Sequence, residues 1–464
     1  MSSGPVIMKF GGTSVGDAEA IGRLVRHIVT AHQRGGVVVV VSALSKVTDR
    51  LLQLASFAAA GDEAAIQAGV TELEERHARV VREVAHNPEV LLATISRELA
   101  ELRNLLHAVA TLKDASPRTR DAIAAFGELL SSRIVVGACE ASGLPAVWAD
   151  PRRILVTNDT FGAALPLTEE TRAAAASELR PALDAHRIPV VGGYVGATVG
   201  GVTTTLGRGG SDYSAAIFGA VLEAREIQIW TDVDGMMTAD PRVVSETHVV
   251  PRLSFEEASE LAYFGAKVLH PSTILPAVAK AIPVRILNSR RTEGAGTLIT
   301  ADSPVDEPLA ALACKRHVTV VDITSTRMLM AHGFLRRVFE VFERCRTPID
   351  VVCTSEVSIS VTIDDDTRLQ ELTEELSTFA DVRVEREMAI LCAVGDGLRR
   401  DPQLAPRILG SLGQFPLRMV SQAASRRNVT VVLQDAAAAA AMVHLHAAFF
   451  ARHVAAPAAV EGVA

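Results

Sequence analysis

The chain has no excess of basic residues. Lys and Arg total 46 against 54 Asp and Glu, a net charge of −8, and no basic stripe runs along any segment, so nucleic acid is excluded as the default partner. It also lacks a long uncharged apolar run and a basic N-terminal region leading into one. Neither membrane insertion nor secretion is expected, and the reading is a cytoplasmic protein. The five cysteines, Cys139, Cys314, Cys345, Cys353 and Cys392, show no C-x-x-C spacing and no histidine in ligand register. They are expected to be buried free thiols rather than a metal site. What is present is 464 residues with 48% hydrophobic content, enough for two to four folded domains with a large core.

The chain is organised around Thr205-Leu206-Gly207-Arg208-Gly209-Gly210-Ser211-Asp212. A β-branched run, Val202 to Thr205, reads as a strand before it, and the small-residue stretch Tyr213 to Leu222 reads as a helix after it. Strand, glycine turn and helix start let backbone N–H groups and the helix dipole hold an anion, so a phosphate is the first suspect. Arg208 adds a guanidinium that can fork onto a carboxylate, and Asp212 a carboxylate that can orient a lysine or a metal. The plain alternative is a tight turn with solvated charges.

Val6 to Phe10 is a second strand, running into Gly11-Gly12-Thr13-Ser14. A helix follows with Ile21, Leu24, Val25, Ile28 and Val29 on one face. The glycine spacing fits neither the dinucleotide fingerprint nor the Walker loop. Lys9 precedes the glycines, and a lysine ending an apolar strand against such a turn can point at a phosphate. Val37 to Val41 is five valines in a row, a strand buried on both faces. The loop Ser42 to Asp49 then leads to a helix for which Thr48 or Asp49 is the expected N-cap. Three such units predict a doubly wound α/β sheet with its ligands beyond the carboxyl ends of the strands.

Residues 62 to 112 read as helical. Glu128, inside the apolar stretch Ala122 to Leu130, is by itself a helix-face salt bridge. Pro189 to Gly196 is another strand meeting a glycine turn. The loop Thr231 to Arg242 carries Asp232, Asp234 and Asp240 but lacks the ligand spacing of an EF-hand, which favours nucleotide contact over calcium. Lys267 is a further lysine close to a turn, and His270 before Pro271 reads as structural. Composition shifts to Gly, Thr, Asp, Ser and Pro over 292–307, marking a domain boundary. Beyond it the pattern repeats: Pro348 to Val352 is echoed by Pro416 to Val420, with the strands Val357 to Ile363 and Asn428 to Leu433 at similar offsets. Two copies of a small α+β module are expected, with Asp364-Asp365-Asp366 a solvated turn and Ala436 to Ala441 opening a final helix.

In this order and combination, Lys9-Phe10-Gly11-Gly12-Thr13-Ser14, the Ser42 to Thr48 loop, Gly127-Glu128, Leu206 to Asp212, Trp230 to Gly235 and Ala266 to Pro271 resemble aspartate kinase. The paired C-terminal modules look like ACT domains, and the run Thr354 to Ser358 is closest to the monofunctional, lysine-sensitive type. The resemblance implies an amino-acid-kinase domain over 1–300, a doubly wound, mostly parallel sheet with helices on both faces. ACT-like α+β domains over 308–385 and 386–454 and a disordered tail from 455 would follow. It implies transfer of the ATP γ-phosphoryl group to the β-carboxylate of L-aspartate, with Mg²⁺ held through the phosphates. Lys9 and Lys267 would stabilise the transferring group, Asp212 would hold Lys9, and Gly11, Gly12, Gly209 and Gly210 would supply N–H donors. Arg208 would take the α-carboxylate of aspartate and Glu128 its α-ammonium, with Ser42, Thr48 and Ser211 lining the same pocket. Thr231, Asp232, Met237, Arg242 and Val268 would lie along the nucleotide.

For an inhibitory L-lysine, the resemblance implies a site of Met328, Gly333, Phe334, Leu335, Asp350, Thr354, Ser355 and Glu356, with Asp350 or Glu356 on its ammonium groups. It implies a homo-oligomer formed through the ACT modules, and no membrane or nucleic-acid partner. Two positions depart from the family pattern: Met237 stands where tyrosine is common, and Ala331 where serine is. Two other readings share many of these residues, a different amino-acid kinase or a catalytically silent amino-acid sensor. Retention of Lys9, Arg208, Asp212 and Lys267 speaks against the sensor. No homoserine dehydrogenase segment is expected after the second module.

Overall fold

The computed structural model of the chain describes residues 4–265, 271–291, 293–302, 308–325, 333–422 and 426–450. It divides into two compact units, one of residues 1–236, 251–255 and 268–302, the other of 237–250, 256–267 and 303–464.

The strands of the first unit are β1 (Val6–Phe10), β2 (Val37–Val41), β3 (Ala146–Ala149), β4 (Val156–Thr157), β5 (Ile188–Gly192), β6 (Val195–Thr198), β7 (Thr203–Thr205), β8 (Glu226–Thr231), β9 (Arg252–Ser254), β10 (Val284–Asn288) and β11 (Thr297–Thr300). Eight of them form one sheet in the order β3-β5-β2-β1-β8-β10-β11-β9. Every neighbour pair is parallel except β10 with β11. All five residues of β1 and of β2 are buried, so both faces of the sheet centre are covered, as the valine run requires. Strand β1 lies between β2 and β8. The chain leaves β1 on one side and returns on the other, and at such a switch point the loops beyond the carboxyl ends part into a crevice. A separate three-stranded sheet, β4-β6-β7, carries the strand that enters the loop of Arg208.

The helical expectations hold in outline. The helix Ala18–His32 is capped by Asp17, whose carboxylate accepts the Ala20 N–H at 2.8 Å, and it buries Ile21, Leu24, Val25 and Ile28. The helical stretch 62–112 is two helices, Glu63–Val84 and Pro88–Leu112, because Pro88 cannot continue the first and opens the second. Among the described residues one helix, Pro117–Ala141, is long and apolar enough to cross a membrane, but it is mostly buried inside the protein. One expectation fails: neither Thr48 nor Asp49 is an N-cap. The helix Val47–Ala60 is entered through Lys46 in the left-handed conformation, φ +65°, without a side-chain cap. Thr48 therefore sits inside the first turn, where its side chain serves the pocket below.

The second unit has β12 (Ala311–Thr324), β13 (Val352–Thr354), β14 (Ser358–Ile363), β15 (Asp381–Val394), β16 (Leu417–Ser421) and β17 (Asn428–Gln434) in one antiparallel sheet, β13-β14-β12-β15-β17-β16. Strands β12 and β15, 14 residues each, run the full length of both modules, with the register shifting between Lys315 and Val318. The latter half of β12 pairs with β14 and with 381–385, while Ala311 to Lys315 pair with Ile390 to Val394. The expected boundary at 385/386 thus falls inside one continuous strand, and the start of the first module contributes a strand to the second. Residues 237–250 also belong here rather than with 1–300: Leu312 N–H donates to the Thr238 carbonyl at 2.8 Å, and Ala239 and Val244 pack with Leu312 and Leu445. The expected tail, 455–464, lies outside the described residues. All five thiols are free, with Cys139, Cys345 and Cys392 buried and Cys314 and Cys353 only half-buried.

Candidate active site

The carboxyl ends of β1, β2 and β8 open onto a cavity of about 670 Å³ in the first unit. Its wall gathers Lys9, Gly11, Gly12, Ser42, Thr48 and Glu128 with Arg208, Gly209, Gly210, Ser211, Asp212, Thr231 and Asp232. These residues come from five separate stretches of sequence, and each stretch is a turn that follows a strand or the helix turn facing it.

Lys9, 8% exposed, reaches the start of the helix Gly210–Leu222, where its Nζ lies 2.6 Å from Asp212 Oδ1. The pair fixes a cation at the mouth of two glycine turns. Gly209 holds φ +72°, and the helix begins at the next residue with no side-chain cap. A residue with a Cβ enters that left-handed turn only with strain. The N–H groups do not all serve as the sequence suggests. Gly11 N–H donates to the Trp230 carbonyl at 3.2 Å and Gly210 N–H to that of Gly207 at 3.0 Å, because closing each turn consumes one donor. Among the described residues the N–H groups of Gly12, Gly209, Ser211 and Asp212 have no partner. They are the donors left for an anion.

Glu128 is the opposite pole. It is 3% exposed, accepts an N–H from Ala43, and leaves Oε2 buried without a partner. Burial pushes its carboxyl up to about 8, against the pull of the Ala43 N–H and the Lys9 charge. The preceding Gly127 permits this placement: a Cβ there would lie 2.7 Å from that of Ala43. Arg208 lines the same cavity and is exposed, and its guanidinium has no partner among the described residues. The cavity therefore presents an unmet buried carboxylate, an unmet guanidinium, and a lysine flanked by free N–H groups. Such a set holds a zwitterion with a second anion beside it.

Residues 4–288 match the model of the amino acid kinase family, and 391–449 match that of the ACT domain. Aspartokinase 3, chloroplastic, of Arabidopsis thaliana is 38% identical over 96% of this chain and 81% of its own length. The chain belongs to the amino acid kinase family, in its aspartokinase branch. Two crystal structures of Escherichia coli aspartokinase III align over 96% of this chain and 99% of theirs. The T-state complex with lysine and aspartate has 35% identity and a TM-score of 0.82. The R-state complex with aspartate and ADP has 34% and 0.81.

Four of the expected nucleotide or phosphoryl contacts are not among the residues that line this cavity in the described part of the first unit. Lys267 and Val268 lie outside the described residues, and Met237 and Arg242 belong to the second unit. Met237 forms an isolated bridge with Val249, and Arg242 pairs with Asp240 at 2.6 Å. Asp234 is engaged by Arg291 at 3.0 Å and by the Asn288 amide at 2.7 Å, whereas Asp232 accepts only the Thr231 hydroxyl, at 3.3 Å, and has no cation beside it among the described residues.

Of the expected effector residues, Met328 lies outside the described residues. Gly333, at φ +89°, starts the helix Phe334–Arg344. Leu335, Thr354, Ser355 and Glu356 are exposed, and Phe334 meets Phe379 edge to face. Asp350 Oδ1 meets Lys315 Nζ at 2.7 Å, which also contacts Asp364 at 3.0 Å, while Asp350 Oδ2 is buried without a partner among the described residues. The Asp364 turn is thus an ion-pair partner rather than purely solvated.

Tyr194 and Lys46 also line the cavity and carried no sequence signal of function. Both stand in the left-handed conformation, φ +64° and +65°. For Tyr194 the glycine pair just before it marks the turn but gives no hint of which side chain the turn presents.

Proposed function

We propose that this cavity binds L-aspartate beside the phosphates of ATP and transfers the γ-phosphoryl group to the β-carboxylate. The supporting observation is the unpartnered, buried Oε2 of Glu128 in one cavity with the unpaired Arg208. A buried carboxylate lacking a partner is costly and calls for a cation, and the α-ammonium of an amino acid supplies it. Arg208 takes the α-carboxylate in its fork. With both α-groups held, the side-chain carboxylate is directed to the Lys9 end.

A carboxylate oxygen is already ionised at neutral pH, so the step needs no general base, and catalysis rests on alignment and charge neutralisation. The β-carboxylate oxygen bonds to the γ-phosphorus as the bond to the β,γ-bridging oxygen breaks, giving 4-phospho-L-aspartate and ADP. This product stands at the head of lysine, threonine and methionine synthesis. Lys9, held by Asp212, and the N–H groups of Gly12, Gly209, Ser211 and Asp212 meet the negative charge of the phosphates. Asp212 is taken by Lys9, and Asp232 is the remaining carboxylate at that end with no cation beside it among the described residues, which suits Mg²⁺ arriving on the nucleotide rather than in a protein cage. When bound it draws charge from the phosphate oxygens. Lys267, Met237, Arg242 and Val268 are assigned to the nucleotide by family likeness alone.

Feedback by L-lysine is the accompanying proposal, with its site at Gly333 to Leu335 and Thr354 to Glu356. Lys315 is shared between Asp350 and Asp364 and leaves Asp350 Oδ2 buried without a partner, so Asp350 and Glu356, the latter with no partner among the described residues, are the acceptors for the ammonium groups of the effector. Homo-oligomerisation through the ACT modules and a cytoplasmic setting belong to the same proposal. Aspartate-dependent release of ADP, with L-glutamate and N-acetyl-L-glutamate inactive, is the expected result. ADP release with either of those in place of aspartate overturns the substrate.

A further inference from the structure

Asp121 lies one turn into the helix Pro117–Ala141, the helix that carries Glu128, and is 3% exposed. Its carboxylate makes three hydrogen bonds to two loops distant in sequence. Oδ2 accepts the Thr205 N–H at 2.9 Å and the Gly162 N–H at 2.9 Å, and Oδ1 accepts the Thr205 hydroxyl at 2.7 Å. Thr205 ends β7 and is fully buried, three residues before Arg208. The Gly162 loop lies directly beneath the Arg208 turn: a Cβ on Gly207 would stand 2.9 Å from the Gly162 carbonyl. Asp121 therefore ties down both the strand end from which Arg208 projects and the loop that supports it.

We propose that Asp121 is a positioning residue for aspartate recognition, acting through Arg208. This rests on the reading of Glu128 and Arg208 as the two arms that hold the α-groups of the substrate. Asp121 and Glu128 are seven positions apart, two helical turns or about 10 Å along one axis. One rigid helix then sets both arms, Glu128 by its own side chain and Arg208 through three charge-assisted hydrogen bonds to the strand end before it. The two α-groups of an amino acid sit on one carbon, so the separation of the arms decides where that carbon rests. It thereby decides how far the β-carboxylate extends toward the phosphoryl group. A strand end held only by its own backbone ladder would let Arg208 drift, and a mismatch of about 1 Å costs heavily in reaction geometry. An aspartate is suited to the task because both of its oxygens accept and its charge strengthens all three bonds. Asparagine can keep the two N–H bonds on its one oxygen, but it loses that charge and has to turn its amide toward the Thr205 hydroxyl.

The test is a double-mutant cycle of Asp121→Asn, Arg208→Ala and the two together, with KM for aspartate, KM for ATP and kcat measured for each. Asp121→Asn is expected to raise KM for aspartate at least tenfold while KM for ATP stays within twofold, and to add less than twofold once Arg208 is gone. Thr205→Val, which removes one of the three bonds, is expected to shift KM for aspartate by a few-fold in the same direction, and it serves if the asparagine variant does not fold. A KM for aspartate unchanged in Asp121→Asn, or a rise repeated in full in the Arg208→Ala background, overturns the proposal. An Arg208→Ala variant with unaltered KM for aspartate overturns the underlying reading of the arms instead.

Discussion

The Lys9 ammonium and the Asp212 carboxylate meet at 2.6 Å, joining the end of the first strand to the first turn of a helix some 200 residues away in sequence. Lys9 is nearly buried, and its charge is aimed by this one partner. Each glycine turn brings free N–H groups to the same place, and the proposed phosphoryl transfer puts its negative charge there.

Asp212→Asn tests that assignment. The amide leaves Lys9 without its counter-charge and free to turn away, so kcat is expected to fall by about 100- to 1,000-fold, in the range of losing one preorganised electrostatic contact. KM for aspartate should change little, since neither arm of the substrate site is touched. Steady-state kinetics in both substrates separates the two parameters.

Arg208→Ala is expected to raise KM for aspartate by about 10- to 100-fold, the worth of a charged hydrogen bond at roughly 1.5–3 kcal/mol. Arg208→Lys should recover only part of it, because an ammonium cannot reproduce the two-pronged contact. Titration of aspartate at saturating ATP measures both.

The pH response of Glu128 has a definite sign. Its carboxyl is pushed up to about 8 by burial, whereas in the unfolded chain it titrates near the ordinary value of about 4.3. Between these values the folded protein holds a proton that the unfolded chain has released, so this group's contribution to stability is lost as pH rises toward 8. Glu128→Gln is therefore expected to melt a few degrees above the native protein at pH 8, with the gap closing toward pH 5. Aspartate binding needs the ionised form, so KM for aspartate in the native protein should fall from pH 7 to 8.5. Melting curves and kinetics across that range check both.

Glu356→Gln is expected to raise the lysine concentration for half-inhibition at least tenfold and to leave activity without lysine unaltered. An inhibition curve identical to that of the native protein would place the effector elsewhere.

The parts of this account that lie along the chain were legible from it. The glycine turns after Phe10 and Thr205 and the five-valine strand each declare a local conformation, and the family resemblance assigned their side chains. Pairings between distant segments were not. Asp121 belongs to no motif, and its role rests on two loops that only the fold brings to it. Lys46 takes a left-handed turn that nothing in Ser45-Lys46-Val47 announces, which displaced the expected cap. The two 14-residue strands of the second unit cross a module boundary because strand register is set by partners 34 or more residues away. The ion pair of Asp350 with Lys315, 35 residues earlier on β12, was hidden in the same way.

The most direct measurement is hydroxylamine trapping of the acyl phosphate formed from ATP, Mg²⁺ and L-aspartate, with and without L-lysine. The account predicts aspartyl hydroxamate from the native protein, suppressed by lysine, and almost none from Asp212→Asn over the same interval. No hydroxamate from aspartate while another acidic amino acid is trapped would contradict it.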